Sequence, residues 1–195
     1  MTGVKKMFLV TEFIALLGTN LILMQALGTS TLFIACNSKK NLVFTASVIT
    51  FFTTFGSAVS YFIDRFAGNG KLSDFRLLFY ILATGFLYVF LLSVFYFVSR
   101  NLFEKIRKYI HISVFNCAVM GTLFTVSEKY SGYSVSLSEY VLGGFQAGAG
   151  FIIASLILTS AYRSLNSAKV PVSFRGFPAM LIYLGIISMA VYALK

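Results

Sequence analysis

The stretch "VFNCAVMG", residues 114–121, places an amide and a thiol side by side in otherwise apolar sequence. A buried amide that lacks a hydrogen-bond partner costs roughly 1–3 kcal/mol in a folded protein. Asn116 and Cys117 therefore indicate that a helix is interrupted here, at a point where an acceptor, a metal or water meets them. The fold depends on what surrounds this interruption, and the rest of the chain shows it.

The composition is that of a membrane protein. Of 195 residues, 58% are apolar and 11% are charged, and the mean hydropathy is +0.85, so a water-soluble surface cannot be built. One span needs about 20 mostly apolar residues. The sequence predicts a single all-α membrane domain over residues 1–195, with transmembrane helices at 7–35, 41–63, 77–98, 109–126, 137–162 and 177–194.

The basic residues that give the net charge of +10 lie in the joins between spans. They therefore do not indicate a surface that binds nucleic acid. Lipid headgroups and membrane topology account for basic residues in such positions. Nine Lys and Arg residues fall in the first, third and fifth joins, and seven fall on the side that holds both termini. This bias predicts that both termini lie outside the cell.

An upstream stretch resembles the one at residues 114–121. "GTNLILMQALGTST" at 18–31 and "VFNCAVMGT" at 114–122 each contain Asn, then Met four residues later, then Gly and Thr. We interpret the chain as two three-helix halves, about 1–98 and 99–195, with the first and fourth spans interrupted. Three spans per half makes the repeat inverted, and its two polar breaks should meet inside the protein. A chance match in apolar sequence is the alternative.

Two further segments carry structural signals. In "GGFQAGAGF" at 143–151, small residues recur at helical spacing and let helices approach closely. "AKVPVSFRGFP" at 168–178 predicts an ordered loop, since it contains two prolines and Gly176. Arg175 in that loop either contacts lipid headgroups, which we expect, or binds a neighbouring backbone carbonyl.

Groups for catalysis are scarce. The chain has one His and six acids, with no phosphate-binding glycine loop and no Cys/His cluster at metal spacing. We therefore do not expect hydrolysis or group transfer, and we predict no catalytic site within this chain. We interpret His111 as an interfacial residue. Cys117 is either a packing residue or a metal ligand, and an iron–sulfur cluster requires about four such ligands, so further ones must come from elsewhere.

Four motifs together resemble a known family. They are "NCAVMG" at 116–121, "VPVSFRG" at 170–176, "LG" at 27–28 followed by "SKK" at 38–40, and the glycine-rich run at 143–151. In this order and at this spacing, they resemble the Rnf/Nqr family. Its members include the A component of the Rnf electron-transport complex and the E component of the sodium-translocating NADH:quinone reductase. The resemblance extends over nearly the whole chain.

This resemblance implies a fold and a function. Members have six helices in two inverted halves and pair with a homologous six-helix subunit of opposite topology. The pair holds a [2Fe-2S] cluster in the middle of a bacterial or archaeal cytoplasmic membrane, and Cys117 would be one of its ligands. With the other Rnf/Nqr-type subunits, the pair would pass electrons across the bilayer, coupled to Na⁺ or H⁺ transport.

The first half departs from the family pattern. The family has Leu-Gly-any-Cys before Ser-Lys-Lys, whereas this chain reads "LGTSTLFIACNSKK" with Ser30 at the ligand position. A serine oxygen can bind iron, though less naturally than sulfur. Cys36 is the other candidate, about 9 Å further along a helix. The predicted metal ligands are thus Cys117, Ser30 and Cys36, and the alternative is a scaffold or transporter-like relative without a cluster.

Overall fold

The structure is a computed structural model that describes residues 20–36, 39–67, 75–98, 100–130 and 135–193. All regular structure within these ranges is helical. In chain order the helices are α1 (Leu21–Gln25), α2 (Thr29–Cys36), α3 (Lys39–Ala67), α4 (Arg76–Val98), α5 (Arg100–Val114), α6 (Cys117–Tyr130), α7 (Leu137–Leu165) and α8 (Phe177–Tyr192).

The helices confirm an all-α membrane protein. Among the described residues, three helices are long and apolar enough to cross a bilayer: α3, α4 and α7. Helices α5 and α6 pass the same test only as a pair, from Arg107 to Tyr130, bent by 45° at their break, so they form either one broken span or a re-entrant loop. Helix α8 is apolar but has only 16 residues. The number of spans stays a prediction, because residues 7–19 of the first predicted span lie outside the described ranges.

Helices α3 and α7 form the centre of the bundle. Both are 29 residues long, and they run antiparallel with almost no side-chain layer between them. A Cβ placed on Gly148 would lie 2.8 Å from the Thr50 Cα, and one on Gly144 would lie 2.4 Å from the Thr53 carbonyl oxygen. The glycine-rich run therefore allows the close helix contact that the sequence predicts.

Both predicted interruptions are present. Between α1 and α2, Ala26 has φ of 55° and Gly28 has φ of 81°, so the chain turns through the left-handed region before the helix resumes. Between α5 and α6, the helix stops at Val114 and restarts at Cys117. Neither segment is a continuous rod.

The helix that contains the start of the fourth predicted span is longer than the span. The apolar stretch begins at Arg107, close to the predicted residue 109, whereas α5 itself begins at Arg100, two positions after α4 ends at Val98. Helix α5 is amphipathic, with Ile110 and Val114 buried in the core and Arg107 exposed. An apolar stripe along one face lets a helix with many charges pack against the bundle.

The loop at 168–178 is ordered, as predicted. Gly176, with φ of 85°, precedes α8, and a proline lies in the first turn of that helix, where its missing N–H costs nothing. Of the two interpretations of Arg175, the structure shows the contact with a backbone carbonyl and not the preferred one. Its Nη2 donates a hydrogen bond to the Val170 carbonyl at 3.1 Å, so the guanidinium closes its own loop.

Candidate functional site at the helix breaks

Asn20 forms the start of α1 and fastens it to the bundle. Its Oδ1 accepts hydrogen bonds from the backbone N–H groups of Ile22, at 3.0 Å, and Leu23, at 3.4 Å. Its Nδ2 donates to the Gly150 carbonyl in the middle of α7, at 2.7 Å. The side chain is 2% exposed. This amide is therefore both an N-cap and an interhelical bond.

Asn116 has the same position at the second break but fewer partners. Its Oδ1 accepts a hydrogen bond from the Ala118 N–H at 3.2 Å, which makes it the N-cap of α6. Its Nδ2 has no hydrogen-bond partner among the described residues, although the side chain is only 4% exposed. Buried donors of this kind are rare, and such a donor indicates a place for an acceptor.

The two breaks contact each other inside the protein. A Cβ on Gly28 would lie 2.7 Å from the Ala118 Cβ and 3.2 Å from the Asn116 Oδ1. A Cβ on Gly121 would lie 2.3 Å from the Leu27 Cδ1. Each break thus presents a glycine to the other, as expected for interrupted segments that meet inside the bundle.

The predicted metal ligands lie beside this contact. Cys117 is exposed, with a free thiol, and is the first residue of α6. Ser30 is also exposed, in the first turn of α2. The backbone of Cys36 ends α2, and its side chain lies outside the described part of the structure. Within the described residues, no three His, Cys, Asp or Glu side chains converge as a metal site.

Sequence analysis missed one polar cluster. Asp64, near the end of α3, accepts hydrogen bonds from Tyr80 of α4 and from Tyr140 of α7, the latter at 3.0 Å. Ser127 Oγ of α6 lies 2.7 Å from the Tyr80 hydroxyl. The cluster joins four helices at one end of the bundle. An acid directly after the apolar run at 41–63 is the signal that could have located it.

Broken helices with buried amide caps at the point of contact define a class of membrane protein, in which interrupted spans bring polar groups together inside the bilayer. Comparison with known proteins then identifies the family. A family model described as "Rnf-Nqr subunit, membrane protein" matches residues 9–195. The chain belongs to the Rnf-Nqr family, which confirms the resemblance stated from its motifs.

Individual relatives agree with this assignment. The chain is similar to proteins named as the A component of an ion-translocating oxidoreductase complex. It is 25% identical to the one from Shewanella sediminis, over 88% of each chain. It is 25% identical to the one from Psychromonas ingrahamii, over 91% of this chain and 93% of the relative. With the Vibrio campbellii protein it shares 26% identity over 92% of this chain and 95% of the relative.

Proposed function

We propose that the chain is a membrane subunit of an ion-translocating electron-transport complex of the Rnf/Nqr type. The observation that carries this proposal is the contact between the two breaks in a chain that the family model covers almost completely. The relatives are named as components of an ion-translocating oxidoreductase complex. Equal lengths of α3 and α7 and matching Asn caps support two related halves.

The proposal includes a [2Fe-2S] cluster shared with a second six-helix subunit of opposite topology. Cys117 and Ser30 each lie in the first turn of a helix that follows a break. The N-terminal turn of a helix favours negative charge, as on a thiolate or an anionic cluster. The unpartnered Asn116 Nδ2 is buried next to Gly28, where the two breaks meet. The exposed Cys117 and Ser30 side chains would supply one side of a cluster.

The donor set of this chain is incomplete, and this is why a partner is needed. A two-iron cluster takes about four thiolate ligands, whereas Cys117 is one thiol and Ser30 one hydroxyl. Because α2 is continuous from Thr29 to Cys36, Ser30 and Cys36 stay about 9 Å apart, and Ser30 is the better placed of the two. Both Ser30 and Cys117 are exposed, so a second subunit can reach them.

A bound cluster would supply one-electron transfer near the middle of the bilayer, coupled in the assembled complex to Na⁺ or H⁺ transport. The contribution of this chain is to hold the ligand-bearing turns in place. Asn20 and Asn116 fix the starts of the two half-helices. Gly28 lets the breaks approach within van der Waals contact.

The test is electron paramagnetic resonance and iron content of the complex purified through a tag on this chain. Cys117→Ala should remove one cluster signal and lower the iron content by about two atoms per complex. Ser30→Ala should shift or weaken the same signal. Cys36→Ala discriminates between the two candidates of the first half: both quantities should stay unchanged if Ser30 is the ligand, and a loss would assign the position to Cys36. Unaltered spectra and iron in Cys117→Ala would contradict the proposal.

The second candidate function is a transporter-like relative without a cluster. It is favoured by Ser30 at the ligand position and by the buried, unpartnered Asn116 Nδ2, which a solute or water could satisfy. In that case reconstituted vesicles would show ion or solute flux that Asn116→Ala reduces, while the purified protein would contain no iron.

A further inference from the structure

Helix α8 contacts both parts of the first interrupted span. Near its end, the Ser188 hydroxyl donates a hydrogen bond to the Leu23 carbonyl of α1. At its start, the Phe177 ring packs edge-on against Phe33 of α2, with ring centroids 4.7 Å apart. From Phe177 to Ser188 the helix rises about 16 Å. One continuous helix therefore bridges the break between α1 and α2.

The hydrogen bond from Ser188 lies where α1 ends. The Ala26 N–H still bonds to the Ile22 carbonyl at 3.0 Å, as in a regular helix. If α1 continued by one more residue, the Leu23 carbonyl would accept a hydrogen bond from the N–H of Leu27. The Ser188 hydroxyl donates to that carbonyl, and a carbonyl at a buried helix end requires such a partner. The side chain thus satisfies the helix end without continuation of α1.

The backbone that follows this helix end is held in an unfavourable conformation. Ala26 has φ of 55°, a left-handed value that residues with a side chain rarely adopt. Gly28 then has φ of 81°, and the Leu32 N–H bonds to its carbonyl at 3.0 Å where α2 begins. Such a conformation persists only where the surroundings fix it. The hydrogen bond from Ser188 is one such restraint, because it stabilises the ended helix against the continued one.

We propose that Ser188 is a positioning residue for the ligand-bearing turn of the first half. Its hydrogen bond to Leu23 fixes the end of α1 and, through the turn that follows, the position of Ser30. This inference rests on the proposed function. Ser30 comes two residues after Gly28, which contacts the second break. One more helical residue in α1 would rotate the following chain by about 100° and turn Ser30 away from the second break.

The first test is electron paramagnetic resonance of the complex purified through a tag on this chain. Ser188→Ala should shift or weaken the cluster signal, because a group that orients a ligand tunes the metal that the ligand binds. Ser188→Thr keeps the hydroxyl and should restore the signal. Ser93→Ala is the matched control and should change nothing, since that hydroxyl bonds to the Val89 carbonyl of its own helix at 2.9 Å. A wild-type signal in Ser188→Ala, or equal shifts in Ser188→Ala and Ser188→Thr, would overturn the proposal.

The second test does not depend on iron. Amide hydrogen exchange of the purified complex, measured by mass spectrometry, compares a peptide of the first break, residues 24–33, with one of the second break, residues 112–120. Ser188→Ala should speed exchange in the first peptide by about fivefold, the effect of one lost hydrogen bond on local opening. The second peptide should change by less than about twofold. Equal acceleration of both peptides would mean a general loss of stability and would overturn the proposal.

A compensating substitution at the turn completes the assignment. Glycine adopts a positive φ without strain, so adding Ala26→Gly to Ser188→Ala should return exchange of residues 24–33 towards the wild-type rate. Exchange as fast as in Ser188→Ala alone would overturn the proposal.

The outcomes separate this inference from the proposed function. If the wild-type complex shows the cluster signal and Ser188→Ala changes neither the signal nor exchange at the first break, the positioning inference fails and the proposed function stands. If exchange at the first break responds as expected in a complex that lacks iron at this interface, Ser188 fixes the break and the cluster proposal fails.

Discussion

The two helix breaks share an Asn N-cap but differ in the hydrogen bonding of its amide nitrogen. Both place a buried Asn at the N-cap of the following helix. At the first break, the Asn20 Nδ2 donates a hydrogen bond to the Gly150 carbonyl in α7. At the second, the Asn116 Nδ2 has no partner among the described residues. Identical residues thus have different roles: the first amide fastens its break to α7, and the second holds a buried donor beside Gly28 that no described residue satisfies.

The largest expected effect tests the contact between the breaks. Gly28→Ala combines a left-handed backbone with a Cβ only 2.7 Å from the Ala118 Cβ. Strain of about 1–2 kcal/mol and overpacking of about 1–3 kcal/mol should together lower the free energy of unfolding by about 3 kcal/mol. Unfolding by titration with denaturing detergent in mixed micelles measures this loss.

The matched control for that substitution is Gly176→Ala. Gly176 has a nearly equal φ of 85°, but no atom lies within 4 Å of its added Cβ. Only the backbone strain remains, and because ψ is −122° the residue lies outside the left-handed helical region, so a loss of about 1–3 kcal/mol is expected. If the two variants lose equal stability, the breaks are not in contact as described.

The second prediction compares the two amides. Asn20→Ala removes a cap and a buried interhelical hydrogen bond, so we expect a loss of about 2–3 kcal/mol. Asn116→Ala removes a cap and also an unsatisfied donor, so the expected loss is about 1 kcal/mol. The same unfolding titration measures both. A larger loss for Asn116→Ala would show that this amide has a strong partner within the chain.

Replacing each Asn with Ser separates the stabilisation by the N-cap from that by the second hydrogen bond. Its hydroxyl can cap a helix as well as an amide oxygen does, but it lacks the Nδ2 donor. Asn20→Ser should therefore cost about 1 kcal/mol for the lost bond to Gly150, whereas Asn116→Ser should change stability by less than about 0.5 kcal/mol. A difference in unfolding free energy near zero between these variants would contradict the asymmetry of the breaks.

The sequence predicts what depends on local composition. Polar residues in apolar runs located both breaks, because an amide in a membrane span requires a special partner or a capped helix end. The small residues of the fifth span correctly indicated a close helix contact. Membership of the family was also readable from motifs in order, without any structure.

Contacts between distant helices could not be predicted. Asp64 meets Tyr140 across 76 residues of sequence, and tyrosine is too common in this chain to single out either partner. The start of α5 at Arg100 was missed because a charged, amphipathic helix does not resemble a span by hydropathy. The interfacial position of His111 stays a prediction, and the structure adds its contact with the Tyr88 hydroxyl of α4, which the sequence did not indicate.

The smallest expected effect concerns Cys117. The thiol is exposed, so Cys117→Ala creates no cavity and should change the unfolding free energy of this chain by less than about 0.5 kcal/mol. Ala118, its neighbour, is 5% exposed and packs against Gly28; Ala118→Val is the contrasting variant and should cost about 1–3 kcal/mol by overpacking. A stable fold in Cys117→Ala is what makes the spectroscopic test decisive, because any loss of signal then reports a lost ligand. If that variant were as unstable as Ala118→Val, Cys117 would be a packing residue, and the second break would be closed within this chain like the first.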